Sequence, residues 1–223
     1  NNESPSDQVD QLFSFFISTL LPEYKLKLYF EFGWDDHRWD IYDFFQHPDH
    51  SAAKLIGFRK YGLFNNKNLI IGFEYTDLVT GRYPNRLESG NTPNWYGRGW
   101  FDYNLYDGRR FTAHSGSDSD DMILYIGYLS SKNDIIISIN HERHGVVKSV
   151  DLSQDTGFFH VPEYKIEFKL DMRKKYKNYD IYFMYEFEYL DNLGIPIQGI
   201  NPRFDKPKRK SNIFGIGFSK TIK

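Results

Sequence analysis

The sequence predicts an all-β chain: an antiparallel transmembrane β-barrel of outer-membrane type, present as a partial barrel of about nine strands. Three observations predict it. Apolar and polar residues alternate with period two in stretch after stretch. The connections between those stretches alternate short and long. Aromatic content is 18%, with Tyr 17 and Phe 20, yet mean hydropathy is only −0.61. That combination suits ribbons with one greasy face and one polar face.

The first stretch, 12–20, sets Phe13, Phe15 and Ile17 against Ser14, Phe16 and Ser18. The second, 25–34, puts Leu26, Leu28, Phe30, Phe32 and Trp34 on one face and Lys25, Lys27, Tyr29, Glu31 and Gly33 on the other. Stretches 53–61, 69–76, 122–129 and 135–143 alternate more weakly. From 164 to 173, Tyr164, Ile166, Phe168, Leu170 and Met172 oppose Lys165, Glu167, Lys169, Asp171 and Arg173. From 179 to 189, Tyr179, Ile181, Phe183, Tyr185, Phe187 and Tyr189 oppose Asp180, Tyr182, Met184, Glu186 and Glu188. The last stretch, 212–220, carries Phe214, Ile216 and Phe218 on one face. Helical spacing would scatter these charges around a cylinder; strand spacing segregates them. Many stretches approach the roughly 9–11 residues that cross a bilayer obliquely. The aromatic run Ile41 to Phe45 is read as a single helical turn at most.

The connections at 21–23, 65–68, 130–134 and 174–178 are short. Those at 35–52, 77–121, 144–163 and 191–211 are long. Tight turns on the periplasmic side and long loops outside produce this rule in outer-membrane barrels. A soluble sandwich has no reason to keep it. The alternation starts the first strand outside and ends the last in the periplasm. An odd count then predicts that residues 1–223 are the C-terminal part of one larger barrel domain, because bacterial single-chain barrels have even strand numbers. A further strand inside 80–119 would change that count. A soluble antiparallel sheet shows the same alternation, and a solvated face accounts for the mixed charges as readily as a cross-strand ion network in a lumen does.

Composition excludes several classes. Lys+Arg 28 against Asp+Glu 30 gives a net charge of −2 and pI ≈ 6.4, so no bulk field favours nucleic acid or anionic lipid. No apolar run is long enough for a transmembrane helix. Zero cysteines remove disulfides, thiolate metal sites and cysteine nucleophiles. No P-loop, dinucleotide fingerprint or GxSxG motif is present, and no cofactor is expected.

Several polar groups are candidates for chemistry. Residues 35–40 (Asp35, Asp36, His37, Arg38, Trp39, Asp40) and the pair His47 and His50 have metal- or sugar-binding residue types, but a polar loop explains both. Asp118, Asp120 and Asp121 look superficially like a calcium loop that lacks its closing Glu; they read as a turn before a strand. Within 141–145 the strand spacing puts Glu142 and His144 on one face and His141 and Arg143 on the other, so the first two can hydrogen-bond near the outer rim. Lys206, Lys208, Arg209 and Lys210 form a basic run assigned to the last long loop; it can touch lipopolysaccharide phosphates or acidic glycans, but a solvated loop is the commoner explanation. The most specific local feature is 95–103. There Trp95 and Trp100 offer faces for the CH groups of a pyranose, while Arg98 and Asp102 can bond its hydroxyls. A packed loop plugging a barrel mouth would use the same residues, with Arg98 between the two indoles.

The chain resembles the capsule assembly protein Wzi family. The resemblance is carried by Gly72-Phe73-Glu74-Tyr75-Thr76-Asp77, by 104–111 (Asn104, Leu105, Tyr106, Asp107, Gly108, Arg109, Arg110, Phe111) and by Ala113-His114-Ser115-Gly116. It extends to the strand 136–140 leading into His141-Glu142-Arg143-His144-Gly145, to the opening 10–14, and to 26–36. It implies an outer-membrane barrel of about eighteen strands that attaches capsular or other surface polysaccharide as a lectin, not as an enzyme. Two departures stand out: the sequence runs past Phe218 to Lys223 instead of stopping at a terminal aromatic, and the similarity is weakest in the loops that would choose the sugar. The expectation is therefore a monomer in the bacterial outer membrane. Its partners would be surface polysaccharide and outer-membrane lipid, with Trp95, Arg98, Trp100 and Asp102 as carbohydrate contacts and no catalytic or metal residue. A small-solute channel with a charged lumen is the alternative. A soluble glycan-active enzyme using Glu142 is the third reading.

Overall fold

The structure is a computed structural model that describes residues 12–35, 52–79, 119–144, 162–192 and 208–220, together with four two-residue strands between 97 and 110. The nine main strands are β1 (Leu12–Leu21), β2 (Leu26–Asp35), β3 (Ala52–Leu63), β4 (Asn66–Asp77), β9 (Ser119–Leu129), β10 (Asn133–His144), β11 (Glu163–Tyr176), β12 (Tyr179–Asp191) and β13 (Lys208–Lys220). Between β4 and β9 lie β5 (Gly97–Arg98), β6 (Phe101–Asp102), β7 (Leu105–Tyr106) and β8 (Arg109–Arg110). The main strands form one antiparallel sheet in the order β1-β2-β3-β4-β9-β10-β11-β12-β13, so each strand pairs with its neighbour in sequence. The strands β5–β8 pair among themselves as two separate hairpins and add nothing to the main sheet. All nine predicted stretches are strands. The sheet is open: β1 and β13 are its edges, and both run from the long-connection end toward the short-turn end.

The short turns are built from residues that accept unusual backbone angles. Between β1 and β2, a single 3-10 turn (Pro22–Tyr24) closes on Lys25, which takes φ 48° and donates its N–H to the Pro22 carbonyl. Phe64 and Asn65 join β3 to β4 with φ 51° and 61°. Positive φ at both central residues matches the right-handed twist of a two-residue hairpin. Just before that turn the pairing shifts at Gly62, whose φ of 71° suits glycine and whose missing Cβ leaves room for the Lys25 side chain. Lys177 takes φ 54° in the turn between β11 and β12.

Because the strands are in strict register, faces add across the sheet. One row runs Leu21, Leu26, Lys60, Ile71, Ile126, Ile137, Leu170, Tyr185, Phe214. Rows parallel to it make an apolar face nine strands wide. It stays open to solvent: Phe168 is 39% exposed and Phe218 73%, while Phe30, Phe73, Phe183 and Phe187 are half-buried among their neighbours. Aromatic rings pack along it, Phe32 edge-on to Trp34 at 4.4 Å and Tyr185 against Phe214 at 4.9 Å.

The same row exposes a stagger. β1 ends on it at Leu21, β3 ends three residues past it at Leu63, β9 three past it at Leu129, and β11 six past it at Tyr176. The short-turn edge thus slides about one residue per strand. With a rise of ~3.3 Å per residue and ~4.8 Å between strands, the strands lean about 35° from the normal to that edge. Closed barrels need a shear of this kind.

The reverse face is polar and tyrosine-rich, and glycines shape it. Tyr29 lies across its partner Gly57 and donates to Glu74 two strands away at 2.7 Å. Tyr125 lies across its partner Gly72 in the opposite sense and accepts from Arg59 Nε at 2.7 Å. A Cβ at Gly72 would sit 2.2 Å from the Tyr125 ring, and one at Gly57 2.4 Å from Tyr29. Gly72→Ala is expected to displace Tyr125 from Arg59 and lower stability by about 1–3 kcal/mol, read by denaturant titration. An unchanged midpoint would mean the ring is not held there.

Candidate functional site

Burial on the polar face deepens toward the long-connection end. Leu78 is 2% exposed, Ser119 0%, Glu142 2% and Leu190 4%. The stem of the connection from β4 to β9 closes there: Leu78 N–H donates to the Ser119 carbonyl at 2.8 Å, and Val79 N–H to Asp77 Oδ1 at 3.1 Å.

Glu142 is the centre of a polar cluster at this end. It accepts from Asn140 Nδ2 at 2.7 Å and from Lys165 Nζ at 3.1 Å, and its other oxygen lies 3.0 Å from His144 Nε2. The alternation of β10 puts these three side chains on one face, and the register sets Lys165 of β11 directly opposite Glu142. The Glu142–His144 contact is the one that strand spacing alone predicts. Lys165 continues the network to Glu167 at 2.9 Å and Glu188 at 3.8 Å, and Arg209 of β13 reaches Glu188 at 2.8 Å. Four strands are linked by ion pairs, those from β10 to β11 and from β12 to β13 at hydrogen-bond distance and that from β11 to β12 longer at 3.8 Å. Both carboxylate oxygens of Glu142 are thus engaged, one by Asn140 and Lys165 and the other by His144.

The sequence-predicted residues fall unevenly on this frame. Trp95 and Trp100 lie outside the described residues. Arg98 and Asp102 lie in β5 and β6, which pair antiparallel with Gly97 opposite Asp102 and Arg98 opposite Phe101. The backbone therefore brings the two polar candidates into one hairpin, although not as register partners. β7 and β8 make a second hairpin, with Leu105 opposite Arg110 and Tyr106 opposite Arg109. Residues 36–51, with His37, His47 and His50, lie outside the described residues, as do Asp118 and the run Ile41 to Phe45.

Two placements differ from the sequence reading. Asp120 and Asp121 are not in a turn: β9 begins at Ser119, and Asp120 is the strand partner of Arg143, whose guanidinium forks onto it with Nε–Oδ1 at 2.7 Å. Lys208, Arg209 and Lys210 are not in a long loop either, because β13 already begins at Lys208. Pairing with β12 carries the strand past its apolar residues: Lys208 faces Asp191 at 3.7 Å, and the Lys210 ammonium sits 5.9 Å from the Tyr189 ring.

At the opposite end of the polar face, a cavity of about 400 Å³ opens beside edge strand β13, lined by Asp134, Arg173, Tyr182, Met184, Gly215 and Gly217. Arg173 spans its floor to Asp134 at 3.6 Å and Asp180 at 3.2 Å. The missing side chains at Gly215 and Gly217 keep it open.

No family model, no curated protein and no solved structure matches this chain.

Proposed function

We propose that this sheet is part of the wall of an outer-membrane β-barrel whose outer connections hold capsular or other surface polysaccharide. The observation that carries the reading is the apolar face, exposed and continuous across nine strands. Monomeric soluble proteins rarely leave so large an apolar area in water; hydrocarbon is the solvent that suits it. Its borders support this. Trp34, Tyr75, Tyr164 and Tyr189 stand at the long-connection end, and Tyr128, Tyr176 and Tyr179 at the short-turn end. On β12 the girdle positions Tyr179 and Tyr189 are ten residues apart, about 33 Å along the strand and roughly 25 Å in height once tilted, the height of a lipid-facing band. The reverse face, with its ion pairs, is then the lumen wall. Closure takes an odd number of further strands between the two edges, since β1 and β13 run the same way.

The polysaccharide reading rests on 95–102 and on the resemblance to the Wzi family. Trp95 and Trp100 supply stacking faces, and Arg98 and Asp102 supply hydroxyl partners on one hairpin. Binding rather than turnover fits a Glu142 already held by Lys165 and Asn140. With Trp95→Ala and Trp100→Ala combined, surface-retained polysaccharide is expected to fall about tenfold, two stacking contacts at ~0.5–1.5 kcal/mol each. The barrel should still insert. Full retention on an inserted barrel would contradict the site. The channel reading is favoured by the charged row Lys165, Glu167 and Lys169 on the lumen side. It predicts conductance in planar bilayers that responds to Glu167→Gln or Lys169→Gln, and a silent barrel rejects it.

A further inference from the structure

Charge is distributed unequally between the two ends of the sheet. At the long-connection end, Arg143, Lys165, Lys208 and Arg209 each pair with a carboxylate. At the short-turn end the balance is reversed. Lys132, Lys174, Lys175, Lys177 and Lys220 are all exposed, and among the described residues none of them pairs with a carboxylate. Two acids of this end, Asp134 and Asp180, the latter the strand partner of Lys175, are both paired with Arg173. The turns that carry these lysines are held side by side, because Lys175 N–H donates to the Lys132 carbonyl at 2.7 Å. The patch is therefore a fixed feature of the fold and not a set of independent tails.

Its position relative to the apolar face is equally specific. Tyr176 and Tyr179 are register partners and the last rings of that face, 59% and 45% exposed. The Lys177 ammonium stands 5.5 Å from the Tyr176 ring and that of Lys220 5.7 Å from the Tyr179 ring. Lys174 shares the apolar face with Ile181 and Phe218. Lys177 thus follows the last ring, Lys220 shares the row of Tyr176 and Tyr179, and Lys174 lies one row inside it; their stems run along the rings and their charged heads can reach the level where a bilayer changes from hydrocarbon to phosphate. A row of unpaired ammonium groups at that depth meets phosphodiesters first.

We propose that this short-turn rim is a binding belt for anionic phospholipid headgroups, made by Lys132, Lys174, Lys177 and Lys220, with Lys175 on the polar side of the same edge. The inference rests on the membrane reading above and adds a ligand to it. Each phosphate–lysine contact is electrostatic and partly exposed, so selectivity should be modest, additive and salt-sensitive.

The test reconstitutes the full-length protein in phosphatidylcholine vesicles carrying spin-labelled phosphatidylglycerol or spin-labelled phosphatidylcholine, and compares the motionally restricted fractions. At low salt, phosphatidylglycerol is expected to be preferred about fivefold. The preference should vanish at high salt and in the triple variant Lys174→Gln, Lys177→Gln, Lys220→Gln. It should survive Lys208→Gln at the other end. Heat-modifiable gel mobility establishes that each variant is folded. Equal restriction of the two lipids at low salt overturns the proposal and leaves an acidic protein as the partner of the rim, and so does a preference that the triple variant keeps. No restricted component with either lipid overturns the membrane reading itself, which keeps the two failures distinct.

Discussion

Removing the Lys165 ammonium by Lys165→Met is expected to cost about 3–5 kcal/mol of stability, the usual result of stripping the partner from a buried charge. Glu142 is 2% exposed and would lose the cation opposite it, while Glu167 and Glu188 would lose the charge between them. Adding Glu142→Gln should restore a substantial part of the loss, because the uncompensated charge disappears and the amide still bonds Asn140 and His144. Urea titration of the four proteins of this cycle measures the coupling. Additive effects would mean that the pair is not coupled and that water reaches Glu142.

Leu170→Arg is the second large effect. Leu170 sits mid-row on the apolar face between Ile137 and Tyr185. In a bilayer an Arg near mid-depth costs about 2–4 kcal/mol. The adjacent residue Lys169 points the other way, is one-third exposed and makes only a 3.6 Å pair with Asp171. Lys169→Gln should therefore shift stability by less than about 1 kcal/mol. Folding equilibria in vesicles compare the two variants directly. Equal losses would mean that the faces are not solvated differently.

The strands were legible because period-two alternation is local. Phe168 beside Lys169 says which way each points without knowledge of any neighbour. Strand ends were less legible for the same reason. β13 starts at Lys208 and β11 runs to Tyr176 because a partner strand continues to pair with them, although their apolar pattern has stopped. Asp120 reads as a turn residue until register sets it opposite Arg143. The Glu142–His144 contact lies within one strand and could be foreseen. Its extension to Lys165, Glu188 and Arg209 depends on register across four strands and could not. The tyrosine–glycine crossings belong to the same class: Gly57 and Gly72 are unremarkable in sequence and acquire meaning only once Tyr29 and Tyr125 lie opposite them. The sugar-contact candidates rest on residue type alone, since Trp95 and Trp100 fall outside the described residues.

The central claim is that lipid touches one face and water the other, and the chain is well suited to testing it because it has no cysteine to remove. Single cysteines placed in turn from Lys165 to Met172 and spin-labelled in vesicles report oxygen and water-soluble relaxant at each position. An alternating pattern is expected: oxygen dominates at Ile166, Phe168, Leu170 and Met172, and the relaxant dominates at Lys165, Glu167, Lys169 and Asp171. Equal access of the water-soluble relaxant to both sets would contradict it.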